Sequence, residues 1–105
     1  MKILLLHTAD CHAWQAAEIE LEKALKEVGK PVAYEVILVD SQELAVKNKF
    51  LGSPTIQIEG KDVDPAADKI TNFTVEACRP YFWQGKSFDF PPAEMIIAAL
   101  RSQKS

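Results

Sequence analysis

A short continuous apolar run, Met1 to His7, is followed after a turn by an amphipathic helical pattern, and this pairing constrains the chain more than any other feature. Four to eight apolar residues bounded by polar ones fit a strand buried on both faces. Thr8-Ala9-Asp10 supplies the turn. From about Ala13 to Val28 the apolar positions are Trp14, Ala17, Leu21, Ala24, Leu25 and Val28. Steps of three and four gather these on one helical face. Gly29-Lys30-Pro31 then stops the helix: glycine suits the left-handed cap, and the proline cannot continue the helix. Tyr34 to Val39 is apolar and β-branched, and reads as a second buried strand. A strand-helix-strand unit of this kind is expected to be parallel and right-handed.

The second half repeats the theme with shorter pieces. Asp40-Ser41 reads as a cap for a short helix through Leu44, Ala45 and Val46 that ends near Phe50-Leu51-Gly52. Thr55-Ile56-Gln57-Ile58-Glu59 alternates, as a strand with one exposed face does. Glu59-Gly60-Lys61-Asp62 makes a tight turn, and Val63 opens a short antiparallel return strand. Asp64 to Pro92 has no clear period and leaves room for a short helix that the sequence does not place. Pro92 starts a last helix, Ala93 to Arg101, with Met95, Ile96, Ala99 and Leu100 as its stripe. The expected architecture is α/β: one domain over residues 1–105, with a mixed four-stranded sheet, helices on both faces and the order β-α-β-α-β-β-α.

Composition narrows the function classes. The 105 residues carry a formal charge of −3, and phosphate binding needs clustered Lys and Arg. The lysines here are interspersed with acids and read as solvated helix faces. No nucleic-acid partner is therefore expected. The Ile3–Leu6 run breaks at His7, too short for a signal h-region, and nothing is long enough to span a membrane. The expected compartment is the cytoplasm, where two cysteines are more often free, metal-binding or redox-active than a structural staple. No cofactor is called for, and the oligomeric state is not written in the sequence.

Cys11 lies between the first strand and the first helix. Unpaired helix N–H groups and the positive end of the helix dipole favour a thiolate there. His12 adds to this when protonated, and Asp10 opposes it. The plainer reading is a small, partly buried hydrophobe in a turn. Pro54 stands directly before the alternating strand, where a residue without an N–H belongs. Its bond to Ser53 is either cis, as in some functional tight turns, or an ordinary trans bond.

A strand, a cysteine at a helix N-terminus and then Gly52-Ser53-Pro54-Thr55-Ile56-Gln57-Ile58-Glu59-Gly60-Lys61-Asp62-Val63 resemble the thioredoxin-like superfamily, especially its short glutaredoxin-like members. The resemblance covers roughly residues 1 to 65 and the final helix. It implies a thioredoxin-like fold with a cis proline at Pro54 facing the cysteine. It also implies that Cys11 is the attacking thiol, and that the Ser53 backbone pairs with an extended substrate segment held open by Pro54. Trp14, Ser53, Pro54 and Thr55 are then the candidate substrate-binding residues, and the substrate is a protein disulfide or a small thiol.

Two departures stand out. The family's Cys-x-x-Cys or Cys-x-x-Ser is here Cys11-His12-Ala13-Trp14, so disulfide exchange needs a monothiol route or a distant partner. Trp14 also reads as core, or as a lid over the site. The Gly-Gly pair that glutaredoxins use to hold glutathione is replaced by Asp64-Pro65-Ala66.

Cys78 is the second thiol, and Cys78-Arg79-Pro80-Tyr81 followed by Pro91-Pro92 resembles the later part of small thioredoxin-like proteins. Cys78 is either a resolving thiol for Cys11, a partner in clamping a soft metal such as mercury or copper, or a buried structural cysteine. The candidate catalytic residues are Cys11, His12 and Cys78. The leading expectation is a thiol-disulfide oxidoreductase role through Cys11, by a monothiol route or with Cys78 as the resolving thiol. The alternatives are a binding or adaptor domain that kept the fold without catalysis, and thiolate binding of a heavy metal. His7 and His12 have too few partners for a zinc site, so no resident metal is expected, and a histidine at a strand end is usually packed and hydrogen-bonded. Phe82, Trp83, Phe88 and Phe90 read as a satellite core or as an exposed patch for a partner.

Overall fold

β1 (Ile3–His7) is the strand around which the rest is arranged, because its alternate side chains feed two cores. Ile3 and Leu5 point to one face and Leu4 and Leu6 to the other, as the two-residue period of a strand requires. The computed structural model describes residues 2–9, 13–29, 33–65, 67 and 79–102. Along the chain β1 is followed by α1 (Trp14–Val28), β2 (Glu35–Leu38), α2 (Gln42–Lys47), β3 (Thr55–Ile58) and β4 (Lys61–Asp62). A hairpin, β5 (Tyr81–Trp83) and β6 (Lys86–Phe88), precedes α3 (Ala93–Ser102).

The main sheet is mixed and four-stranded, in the order β2-β1-β3-β4. β1 runs parallel to β2 and antiparallel to β3, and β3 is antiparallel to β4. α1 and α3 cover one face: Leu21 and Leu25, with Met95 and Ile96, pack on Ile3, Leu5, Ile56 and Ile58. α2 covers part of the other, where Ala45 and Phe50 meet Leu4, Leu6 and Val39. The α/β class and helices on both faces follow directly from this arrangement.

The α1 stop and the α2 cap lie where the sequence indicates, but α2 ends at Lys47 rather than near Phe50-Leu51-Gly52, because Asn48 closes it through its N–H to the Leu44 carbonyl. Gly29 ends α1 with φ of 70°, and its N–H reaches the Leu25 and Lys26 carbonyls. Ser41 caps α2, its Oγ accepting the Leu44 N–H at 3.2 Å. At α3 the Pro92 carbonyl accepts from Met95 and Ile96, and Glu20 from α1 accepts the Ala93 N–H at 3.1 Å. That last bond ties the two helices of one face together.

Three further expectations are corrected. β2 is an edge strand, with Val36 42 % and Leu38 45 % exposed, because only β1 flanks it in the sheet and these side chains lie beyond the helices' main cover. β3 has no exposed face: all four of its residues are buried. Its polar side chains are covered from within, since Gln57 donates to the Asn48 carbonyl at 2.6 Å and Thr55 meets Arg79. The return strand begins at Lys61, two residues before Val63, because Glu59 and Gly60 alone make the turn with φ of 53° and 79°.

The irregular stretch also holds an additional strand pair, β5–β6. Gln84 and Gly85 turn it with φ of 51° and 78°, the same turn geometry as at Glu59-Gly60. Tyr81 faces inward and is buried, while Phe82 faces outward and is 67 % exposed. Trp83, Phe88 and Phe90 pack against the main core, so the aromatic cluster divides: three rings complete the core and one is left in solvent.

Candidate functional site

The short turn from Gly52 to Thr55 brings together parts of the chain that are far apart in sequence. Ser53 is 1 % exposed and its peptide bond to Pro54 is cis. Its hydroxyl accepts the backbone N–H of Thr8 at 3.1 Å. Its carbonyl accepts the backbone N–H of Arg79, also at 3.1 Å. Thr8 stands three residues before Cys11, and Arg79 directly follows Cys78. One buried serine therefore holds chain from the neighbourhood of both thiols. Cys11, His12 and Cys78 themselves lie outside the described residues.

Arg79 is the most heavily anchored side chain of this region. Its guanidinium is buried and forks onto Asp62, with Nη1 at 2.5 Å and Nη2 at 2.8 Å from the two carboxylate oxygens. Such a two-pronged pair fixes both planes at once. Nη1 also reaches the Thr55 hydroxyl at 3.2 Å, and Nη2 lies 3.5 Å from Asp64. The guanidinium carbon sits 4.4 Å above the centre of the Tyr81 ring, a cation–π contact. Burial, the largest single influence, would lower the Arg79 pKa, but the Asp62 hydrogen bonds together with the fields of Tyr81, Asp62 and Asp64 outweigh it and raise the pKa above the usual arginine value. The cation is therefore permanent.

Tyr81 completes the turn's polar accounting. Its hydroxyl donates a short hydrogen bond to the Pro54 carbonyl. Burial pushes the phenol far above its ordinary range, with the nearby Arg79 cation opposing the shift. Thr55 donates to the Gly52 carbonyl at 2.5 Å. Among the described residues no buried side-chain nitrogen or oxygen lacks a partner. Ser53 and Thr55, candidates for docking a substrate, are thus fully buried and engaged with other parts of the same chain, and Pro54 is buried between them.

The Cys11 side of the site is lighter. Trp14, at the start of α1, packs partly on the core and stacks on His7 at the end of β1, with ring centres 4.3 Å apart and planes 14° from parallel. The His7 Nδ1 lies 3.1 Å from the Thr8 carbonyl. Trp14 and His7 thus join the two ends of the segment that contains Cys11. No helix among the described residues is long and apolar enough to cross a membrane.

Arg79 and Tyr81 enter the sequence reading only as part of the Cys78-Arg79-Pro80-Tyr81 motif and Asp62 only in the turn after β3, none of them with a role at the site. One signal was present: Asp62 and Asp64 are two apart next to a turn, where strand geometry directs both carboxylates to one side. Two adjacent carboxylates on one side of a small domain call for a cation, and Arg79 supplies it.

The family model of a domain of unknown function (DUF2703) matches residues 7–100 of the chain. Comparison with curated proteins and with solved structures found no match.

Proposed function

The chain belongs to the DUF2703 family, and we propose that it is a thioredoxin-like protein with a thiol-disulfide role in which Cys11 attacks and Cys78 resolves. The sheet order β2-β1-β3-β4, with α1 and α3 on one face and α2 on the other, supports the fold assignment. The observation that carries the chemistry is Ser53, which binds Thr8 through its hydroxyl and Arg79 through its carbonyl. Consecutive Cα atoms are about 3.8 Å apart, so Cys78 starts one such step from a residue bonded to Ser53. Cys11 starts three steps from the other, about 11 Å of chain at most. Bridged cysteines need Cα atoms about 4.4–6.8 Å apart, well inside the reach of these two flanks.

In this reading the start of α1 and a protonated His12 favour the Cys11 thiolate. The thiolate attacks one sulfur of a disulfide, forming a mixed disulfide and releasing one thiolate. Cys78 then attacks the Cys11 sulfur, forming the Cys11–Cys78 disulfide and releasing the second thiolate. The protein is oxidised by two electrons and the substrate disulfide is reduced to two thiols. A reducing compartment such as the cytoplasm restores the dithiol.

The test is mass spectrometry of both cysteines after alkylation across a pH series, with and without reductant. The expected result is a Cys11 thiol that titrates below the model-peptide value of about 8.5, together with a Cys11–Cys78 disulfide that forms under mild oxidation. A Cys11 thiol at or above that value, with no such disulfide, would overturn the proposal.

A further inference from the structure

We propose that the open edge of β2 is the interface of a two-fold dimer. In it β2 pairs antiparallel with β2 of a second copy, centred on Ile37, and the two four-stranded sheets run on as one. The proposal stands apart from the thiol chemistry. The two edges of the sheet are unlike. β4 is two residues long, carries the exposed Lys61, and has its Asp62 held by Arg79. Short length and charge are how native sheets keep an edge from pairing. β2 is four residues long, has no lysine, proline or bulge, and keeps its one charge, Glu35, at its first position. Among the described residues no strand lies beyond it.

The edge matches itself. The Val39 N–H donates to the His7 carbonyl, so the odd-numbered residues of this segment turn their backbone groups toward β1. Val36 and Leu38 therefore turn theirs to the open side. In a two-fold antiparallel pair centred on Ile37, Val36 exchanges both its hydrogen bonds with Leu38 of the second copy, and Leu38 exchanges both with Val36 of the second copy. The side chains follow the same symmetry. Val36 and Leu38 share the α1 face of the sheet, both exposed, and the pairing lays each against the other kind. Ile19, another exposed apolar side chain, lies between Glu18 and Glu22, which reach from α1 to the Tyr34 hydroxyl beside β2. Centring on Val36 instead would set Glu35 against Ile37. Centring on Leu38 would set Asp40 against Val36 and carry the pairing past the end of the strand. Association stops at two copies, because the joined sheet has only its short, charged β4 edges left.

Sedimentation velocity of the full chain under reductant, from about 1 μM to about 1 mM, spans the affinities of weak to moderate interfaces. The mass is expected to rise reversibly toward twice the 11.7 kDa of one chain and no further. Val36→Lys puts a charge on the edge and is expected to keep the protein monomeric while circular dichroism shows it folded. Phe82→Lys, at an exposed apolar side chain outside this edge, is expected to leave the association as it is. The register is read with Ile37→Cys in a chain carrying Cys11→Ser and Cys78→Ser. Facing Cα atoms of a pair without hydrogen bonds are about 4.5 Å apart, inside the span of about 4.4–6.8 Å that a disulfide bridges. Ile37→Cys is expected to oxidise to a covalent dimer faster than Glu35→Cys in the same background. A monomer at every concentration would overturn the proposal, and so would growth beyond two copies. A dimer that folded Val36→Lys leaves intact, or an Ile37→Cys chain that cross-links no faster than Glu35→Cys, would overturn it as well.

Discussion

The two chain segments that meet at Ser53 are held in very different ways. On the Arg79 side, a buried guanidinium binds Asp62 and Thr55, a ring lies beneath it, and a phenol reaches the Pro54 carbonyl. On the Thr8 side, among the described residues, the Thr8 N–H meets the Ser53 hydroxyl, the His7 carbonyl accepts the Val39 N–H at 2.7 Å, and His7 makes a half-buried stack on Trp14. The first set is buried, where polar groups are costly to leave unpaired. The second is partly open to water, where a broken contact is largely replaced by solvent. The comparison teaches that the flank of Cys78 belongs to the core, whereas the flank of Cys11 is attached to it.

The largest expected effect breaks the heavily anchored side. Arg79→Ala removes one partner of a buried ion pair and leaves Asp62 uncompensated, which costs about 3–5 kcal/mol of stability. Chemical denaturation at neutral pH measures it. The double variant Arg79→Met, Asp62→Leu removes both charges together and is expected to regain more than half of that loss. A double variant as unstable as Arg79→Ala would show that the pairing of the two charges is not what fixes this segment.

The second effect is Tyr81→Phe, which strips the Pro54 carbonyl of its buried donor at a cost of about 1–3 kcal/mol. It also changes the response to alkali. Burial raises the Tyr81 phenol above its ordinary value near 10, so the folded state holds the proton more tightly than the unfolded chain. The resulting stabilisation is complete below pH 10 and is lost as the pH rises above it. Tyr34 is also raised, by burial and then by its hydrogen bonds to Glu22 and Glu18, but its exposure to solvent screens its share. Stability measured from pH 8 upward should therefore fall beyond pH 10 in the parent protein, and fall less steeply in Tyr81→Phe.

The contrast between the two flanks also marks how far sequence reading reaches. β1, α1 with its Gly29 stop, α2 with its Ser41 cap and the start of α3 all lie where local patterns indicate, because each is defined by period and capping within one short segment. The turn at Glu59-Gly60 was legible because an alternating run leads into it. The same turn at Gln84-Gly85 was not, because strands of three residues carry barely one alternation and owe their existence to Tyr81 and Phe88 packing on the core. The buried face of β3 was hidden for a similar reason: Thr55 and Gln57 look solvent-facing until Arg79, 24 residues away from Thr55, and the Asn48 carbonyl cover them. Of the candidate site, the cis bond at Ser53–Pro54 and the burial around it are in the structure, while the engagement of Ser53 with both flanks is a long-range property that no local period encodes.

Ser53→Ala tests the lighter flank. It removes the acceptor of the Thr8 N–H while leaving the backbone bond to Arg79 in place. The expected cost is about 1 kcal/mol. Hydrogen exchange is expected to quicken at the Thr8 amide and to stay unchanged at the Arg79 amide. Equal acceleration at both amides would mean that the two flanks act as one unit, contrary to the asymmetry described above.

The smallest effect belongs to the His7–Trp14 stack. A double-mutant cycle with His7→Ala and Trp14→Ala is expected to give a coupling of about 0.5–1 kcal/mol, the range for a stacked pair beyond its buried area. The stability change is modest because the pair is only half-buried, yet its position gives it leverage of another kind. The stack closes the segment of chain between the end of β1 and the start of α1, and Cys11 lies in that segment. Opening it should change the alkylation rate of Cys11 while leaving that of Cys78, whose flank is fixed by Arg79, as it was. A shift in both rates together, or in neither, would show that the stack does not act selectively on the segment that contains Cys11.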